Sequence, residues 1–205
     1  MIDSSLEAIV TSPPPGGAAS DLARLAVAAR VGRGAEEERL WEAARPRLVR
    51  IALALGVPAA DVPDLVQDVL FAAHRALTRF DPAVGSFEGW IGAILIRRAR
   101  NLARSRRRRR LFLHALRAIG LPIAPRASRT LDCVEARLVV ERLVSRLSGS
   151  QRDVVALYEI GELGADETAR ILGLTPAGVR SIARDARRRL GEQARGPAGA
   201  GKEGS

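Results

Sequence analysis

Apolar residues recur every three or four positions in two long stretches of the chain, residues 35–110 and 131–193, and nowhere do they keep up the alternation of a β-strand. We call these stretches the N-terminal block and the C-terminal block. Helices are predicted over about residues 21–31, 38–55, 61–77 and 87–108, and again within the C-terminal block. The pattern therefore predicts an all-α protein with two helical domains joined by a flexible linker.

Proline, glycine and aspartate indicate where these helices begin, end and bend. Pro46 predicts a kink or a break near Arg45, because proline lacks the backbone N–H that a helix interior needs. Asp61 is predicted to cap the next helix, and the proline and glycine in residues 80–87 (FDPAVGSF) predict a loop. Outside the blocks we expect a disordered or weakly ordered N-terminal lead (1–34), a linker (111–130) and a flexible tail (194–205).

The C-terminal block contains the pattern of a helix-turn-helix. A short helix over residues 167–172 is ended by Gly173, and Thr175 and Pro176 suit the N-cap and first position of the next helix, whose apolar side faces inward from Val179 onwards. Its outward positions are Arg180, Ser181, Arg184, Arg187 and Arg188. Such side chains reach base edges and phosphates in a major groove, which predicts DNA binding. The alternative is a solvated helical hairpin in a bundle.

The charge of the chain supports a polyanionic partner. The formal net charge is +10, supplied almost wholly by arginine because Lys202 is the only lysine. Arginines cluster on the predicted 87–108 helix and just after it, with no acidic residue among them. At helical pitch, four of them share one face: Arg97, Arg100, Arg104 and Arg108. This face predicts nucleic-acid binding, and the alternative is a run of solvated charge.

One predicted helix has the opposite character. Residues 64–70 (DLVQDVL) are acidic and amphipathic in an otherwise basic protein. They predict a docking face for a protein partner. The alternative is an ordinary surface helix whose acidic residues stabilise its N-terminus.

Few residues suit catalysis or metal binding. Cys133 is the single cysteine and His74 and His114 are the only histidines, so the chain contains no zinc-ligand set. It also contains no nucleophile elbow and no phosphate-binding glycine loop. We therefore expect no catalytic residue, metal or cofactor. No apolar run is long enough for a membrane span and no signal peptide is recognisable, so we expect a cytoplasmic protein.

The motifs and their order resemble the extracytoplasmic-function (ECF) group of the sigma-70 family of RNA polymerase sigma factors. Residues 40–48 (LWEAARPRL) resemble the opening helix of the family's sigma-2 domain, residues 64–69 its polymerase-binding helix, and residues 80–90 the loop and helix that open the −10 element. Residues 147–155 (LSGSQRDVV) and the helix-turn-helix resemble the sigma-4 domain, which reads the −35 element.

The resemblance implies roles for individual residues. Contacts with the clamp helices of the largest polymerase subunit would come from Asp64, Leu65, Gln67 and Asp68. The −10 element and the melted strand would be held by Phe80, Ser86, Phe87, Trp90, Arg97, Asn101 and Arg104. The −35 element would be bound by Thr175, Arg180, Ser181, Arg184, Arg187 and Arg188. Many relatives carry Asn and Asp where Arg97 and Asn101 stand, so the resemblance carries over the class of protein but not a promoter sequence.

The implied partners are core RNA polymerase and promoter DNA, both as duplex and as melted non-template strand, and the family also allows an anti-sigma factor. The implied function is to direct polymerase to promoters and to stabilise the melted DNA. Two other functions stay open on the sequence alone. A stand-alone helix-turn-helix regulator would bind its DNA without polymerase, and a sigma-like antagonist would bind polymerase without DNA.

Overall fold

The computed structural model describes residues 21–31, 34–118 and 144–194. The α-helices are α1 Asp21–Val31, α2 Ala35–Ala54, α3 Val62–Ala76, α4 Phe87–Ala118, α5 Gly149–Val154, α6 Ala165–Leu172 and α7 Pro176–Ala194. The 3₁₀ turns Ala59–Asp61 and Leu77–Arg79 flank α3, and the π-helical segment Val155–Ile160 continues α5. These ranges contain no strand, which confirms the all-α prediction for them. None of their helices is both long and apolar enough to cross a membrane.

The helices α2 to α4 of the N-terminal block pack around one apolar core, which α1, from the predicted N-terminal lead, also joins. The stripes predicted from helical spacing are the buried faces. Among the core side chains exposed by 1% or less are Leu40, Leu48, Val66, Val69 and Leu95. α1 belongs to the same core, since Ala26 and Ala29 are buried in it. Burying each large aliphatic side chain stabilises the fold by about 1.5–3 kcal/mol, so packing of these stripes decides the structure more than helix propensity does.

Three features of the helices differ in detail from what the sequence predicts. α2 is continuous through Pro46, so the predicted break is not observed. Asp61 occupies the N-cap of α3, as predicted, but its side chain makes no capping hydrogen bond and instead pairs with Arg106 of α4. α4 continues past Arg108 to Ala118, into the stretch assigned to the linker, and the rest of that stretch lies outside the described residues.

The C-terminal block has buried clusters of its own. One is formed by Val154, Ala169, Val179 and Ala183, and another by Leu147, Val155 and Ala186. A capping box starts α5, where Ser148 Oγ accepts from Gln151 N at 3.2 Å and Gln151 Oε1 accepts from Ser148 N at 3.0 Å. Gly173, between α6 and α7, has a φ of 70°, the left-handed conformation that glycine adopts without strain. The predicted helix-turn-helix is therefore confirmed.

The two blocks pack against each other. Leu157 and Leu163 of the C-terminal block lie in the same buried cluster as the core of the N-terminal block. Leu157 also lies close to Gly92 of α4, where a Cβ would stand 3.3 Å from Leu157 Cδ2. The absence of a side chain at Gly92 therefore lets the π-helical segment approach α4 closely.

Candidate polymerase and nucleic-acid interfaces

The outward face of α3 carries polar and acidic side chains. Asp64, Gln67 and Asp68 are exposed, as a docking face requires. Leu65, which was predicted with them, is only 4% exposed and belongs to the core. Leu65 therefore supports the face from below and is not available to a partner in this conformation.

Phe71 extends this face and is absent from the predicted contacts. It lies one turn beyond Gln67 and is 61% exposed. A single exposed apolar side chain is common on protein surfaces, so Phe71 matters here because it lies among polar residues of the same face, an arrangement typical of protein interfaces. The signal in the sequence is an aromatic residue in register with Gln67 and Asp68, on the side of the helix opposite the apolar stripe. We call Asp64, Gln67, Asp68 and Phe71 the α3 face.

The loop of residues 80–86 rests on an aromatic cluster. Phe80 and Phe87 are 2% and 0% exposed, and their ring centroids lie 5.5 Å apart in an edge-to-face arrangement. Trp90 is partly exposed and contacts both rings, at 5.5 and 5.6 Å between centroids. The two phenylalanines therefore fix the ends of the loop and are not open to a base here. The large apolar side chain that the loop exposes is Val84, which is 70% exposed.

Ser86 joins this loop to α4 and to the C-terminal block. Its Oγ accepts a hydrogen bond from Gly89 N at 2.9 Å, which caps the first turn of α4. Its backbone N and its Oγ both donate to the carboxylate of Glu167 on α6, at 2.9 and 2.7 Å. The predicted −10 site is thus already in contact with an acidic group of the same chain.

The polar residues of α4 include an exposed stripe and a set of arginines that pair with carboxylates of other segments. Trp90, Arg97, Asn101 and Arg104 follow one stripe of the helix, the last three are exposed, and Arg104 donates to Asn101 Oδ1. We call these four residues the α4 stripe. The paired arginines are Arg98 with Asp68 (3.9 Å), Arg100 with Asp153 of α5 (2.6 Å), and Arg106 with Asp61. The common face predicted for Arg97 and Arg100 is therefore divided, because Arg100 is held by the C-terminal block.

The first half of α7 presents exposed polar side chains. Thr175 Oγ1 accepts from Gly178 N at 3.1 Å, which confirms the predicted N-cap. Arg180, Ser181 and Arg184 are exposed on the turns that follow. These positions suit base-edge contacts, because a recognition helix enters the major groove by its N-terminal half.

The second half of α7 is engaged within the protein. Arg187 Nη2 donates to Glu159 Oε1 at 2.5 Å, and the Glu159 side chain is only 9% exposed. Arg188 pairs with Asp185, one turn earlier, at 3.2 Å. Arg187 and Arg188 are exposed, as predicted, but a DNA phosphate would have to compete with these carboxylates for their guanidinium groups.

Comparison with known proteins identifies the family. The family model of Sigma-70 region 2 matches residues 40–109, and that of Sigma-70, region 4 matches residues 137–190. The RNA polymerase sigma factor CnrH of Cupriavidus metallidurans is 33% identical to the chain over 150 residues, which cover 70% of this chain and 78% of CnrH. The chain belongs to the sigma-70 family. It lies in the ECF group, since the ECF RNA polymerase sigma factor SigM of Mycobacterium tuberculosis is 30% identical over 155 residues, 75% of this chain and 74% of SigM.

Solved sigma factors share the fold of this one. The structure of CnrH in complex with the cytosolic domain of CnrY superposes with a TM-score of 0.64 at 27% identity, covering 87% of this chain and all of the CnrH chain. The sigma factor RpoE of Bartonella quintana, solved with the anti-sigma factor NepR, has a TM-score of 0.56 at 24% identity and covers 78% of this chain and 97% of its own. This second likeness concerns the fold alone.

The candidate interfaces lie in both of the family regions that the chain contains. Region 2 contains the α3 face, the loop of residues 80–86 and the exposed part of the α4 stripe. Region 4 contains α5, α6 and most of α7, with the exposed polar residues at the start of α7. The start of the region 4 match, residues 137–143, lies outside the described residues.

Proposed function

We propose that this sigma factor binds core RNA polymerase through the α3 face and directs it to promoters whose −35 element is bound by α7. The loop of residues 80–86 and the α4 stripe then hold the −10 element as its strands separate. The chain supplies binding energy and position, while the chemistry of RNA synthesis stays with the polymerase. It acts in the bacterial cytoplasm, where polymerase and chromosome are found.

The exposed α3 face is the observation that carries this proposal. Phe71 remains 61% exposed next to Gln67 and Asp68, and it takes no part in the apolar core of the N-terminal block. A protein that only bound DNA would gain nothing from an acidic, aromatic surface, because acidic side chains repel phosphate. The same surface suits a protein partner, since interfaces are enriched in aromatic residues at their centre and polar residues at their rim.

The DNA-binding surfaces divide the work between duplex and single strand. Arg180 and Arg184 stand one turn apart at the start of α7, where a bidentate guanidinium–guanine contact is worth about 1–3 kcal/mol of discrimination. The α4 stripe runs along a single long helix and carries positive charge, and such a basic surface suits the phosphate backbone of an unpaired strand. Trp90 at its start offers a partly exposed ring for stacking.

Capture of the melted strand explains why both surfaces belong to one chain. Extruding a base costs a few kcal/mol, so opening needs contacts that exist only in the melted state. The α4 stripe can supply such contacts once α7 has fixed the register on the duplex. Joining two DNA-binding domains also raises the effective concentration of the second at its own element.

The proposal is tested by reconstitution. Purified core polymerase with and without the chain is given a genomic template, and transcript 5′ ends are sequenced. We expect new start sites that share two spaced motifs, and we expect the double variant Asp64→Arg with Gln67→Ala to lose both these transcripts and co-purification with core. A variant that folds and still co-purifies with core would count against the α3 face.

The same experiment separates the other two functions. Specific binding of the chain alone to duplex DNA, with no new start sites, would indicate a stand-alone helix-turn-helix regulator. Binding to core with transcripts suppressed and no promoter contact would indicate a polymerase antagonist. CnrH was solved with the cytosolic domain of CnrY, and we propose that a regulatory protein of the anti-sigma type also binds this chain.

A further inference from the structure

A cavity of about 550 Å³ lies between the N-terminal and C-terminal blocks, and its lining residues belong to none of the candidate interfaces. They come from the connection between α2 and α3, from α4, and from α5. Sites for small molecules have volumes of about 300–1,000 Å³. The cavity is therefore large enough for a small organic ligand.

Part of the lining is apolar, and we call it the floor of the cavity. Val57 and Ile96 are buried in the core of the N-terminal block, and Leu55 and Leu102 are partly exposed and pack against that core. Pro58 lines the cavity as well. An apolar surface with a few converging polar groups is the usual construction of a small-molecule site.

The polar groups of the cavity are mainly guanidinium groups. Four arginines line it, three from α4 and one from α5: Arg100, Arg106, Arg110 and Arg152. Arg100 pairs with Asp153 at 2.6 Å, and Arg106 pairs with Asp61. Among the described residues, no carboxylate pairs with Arg110 or Arg152. These two arginines therefore give the cavity a surplus of positive charge.

Arg152 lies close to the backbone that follows α2. Gly56 has a φ of 78°, and a Cβ there would stand 3.1 Å from Arg152 Nη1. The absence of a side chain at Gly56 thus lets the guanidinium group approach the turn. Arg152 is also partly buried. A partly buried positive charge is screened less by salt than an exposed one, so it attracts an anionic ligand more strongly.

We propose that this cavity binds a small organic phosphate of the nucleotide class: Arg110 and Arg152 hold its phosphate groups, and its ring lies on the apolar floor. Guanidinium groups match the geometry of phosphate oxygens and bind them in a bidentate manner. Phosphate is favoured over a carboxylate, because a phosphate monoester carries a charge of about −1.5 to −2 at neutral pH. This inference goes beyond the proposed function, since it needs neither polymerase nor promoter DNA.

Trinitrophenyl-ATP is a suitable probe, because its fluorescence rises when its ring enters an apolar site. The full chain is titrated with it at about 0.15 M salt, where long-range attraction to a basic protein is screened. We expect saturable binding. Arg110→Gln and Arg152→Gln should each raise the Kd about tenfold, since each removes charge-assisted hydrogen bonds to phosphate. Arg109→Gln is the matched control, because Arg109 is exposed on the same helix but does not line the cavity, and it should leave the Kd unchanged.

A second pair of variants separates the cavity from the overall charge of the chain. Ala103 and Ser105 are both exposed on α4, but only Ala103 lines the cavity. Glutamate at either position lowers the net charge equally. Ala103→Glu should raise the Kd by about thirtyfold, because its carboxylate repels phosphate at short range, whereas Ser105→Glu should change it by less than about twofold. Similar effects of the two variants would overturn the proposal, since the basic surface in general would then hold the probe.

Competitors show which parts of the ligand are recognised. ATP should displace the probe, whereas inorganic triphosphate and adenosine should each need a concentration about tenfold higher, because each makes only part of the contacts. Either competitor acting as well as ATP would overturn the proposal, since the floor or the arginines would then contribute nothing. Displacement by single-stranded DNA at lower nucleotide concentrations than ATP would assign the cavity to DNA and overturn it as well. So would the absence of saturable probe binding.

Discussion

Phe71 gives the sharpest test of the polymerase interface. Phe71 is 61% exposed. An aromatic side chain buries about 150–250 Å² in total, so about 120 Å² of Phe71 remains to be covered by a partner. At about 25 cal/mol per Å² this area is worth about 3 kcal/mol. Alanine would keep part of the contact, so we expect Phe71→Ala to weaken core binding by about 2 kcal/mol, or about 30-fold in Kd.

The assay is titration of labelled core polymerase with the purified variant. The free energy of unfolding, measured in urea, should change little, because Phe71 contributes little to the core. Val84→Ala is the matched control: Val84 is also a highly exposed apolar residue, at 70%, but it belongs to the loop assigned to DNA. It should leave core affinity unchanged. A folded Phe71→Ala protein whose Kd for core rises less than about threefold would refute the reasoning, since no transfer free energy would then be gained at this position.

Three further predictions concern DNA and stability. Arg180→Ala should relax the sequence preference at one −35 base pair, at a cost of about 1–3 kcal/mol in binding free energy. Arg187→Ala should leave the preference unchanged, because that guanidinium is already paired with Glu159. Transcription from a promoter library measures both preferences, and identical preferences for Arg180→Ala and wild type would contradict the assignment. Replacing Arg97 and Asn101 with alanine should spare closed complexes but reduce permanganate reactivity near the start site, and normal reactivity would mean that this surface only carries solvated charge. Phe87→Ala should lower the free energy of unfolding in urea by about 3–5 kcal/mol, and a loss below about 1 kcal/mol would be inconsistent with its complete burial.

The helices and the helix-turn-helix could be predicted because their signals are local. Gly173 ends α6 and Thr175 caps α7 through interactions within a few residues. The apolar stripes follow from helical pitch alone, as Leu40, Val69 and Leu95 show by their burial. Pro46 misleads on a possible break, because packing on both sides of it outweighs the loss of one backbone hydrogen bond.

The site residues divide according to how far away their partners lie. Exposure of Asp64, Gln67 and Arg180 follows from helix register, and the structure agrees. Leu65 was predicted as a contact but is buried, because the neighbouring helices cover it, whereas Phe71 was not predicted as a contact and is exposed. The resemblance groups Leu65 with the exposed residues of its motif, and only the packed structure shows that it is buried.

The arginine-rich helix shows why pairing over long sequence distances matters for function. From sequence alone the arginines of α4 form one repulsive run. In the fold, carboxylates from three other segments neutralise some of them: Asp61, Asp68 and Asp153. Because partly exposed pairs of this kind contribute little to stability, their larger effect is to neutralise one side of α4, while Arg97, Arg104 and Arg107 to Arg110 remain exposed. The fold thereby leaves positive charge along the exposed side of α4, in a stripe that starts at Trp90 beside the loop of residues 80–86.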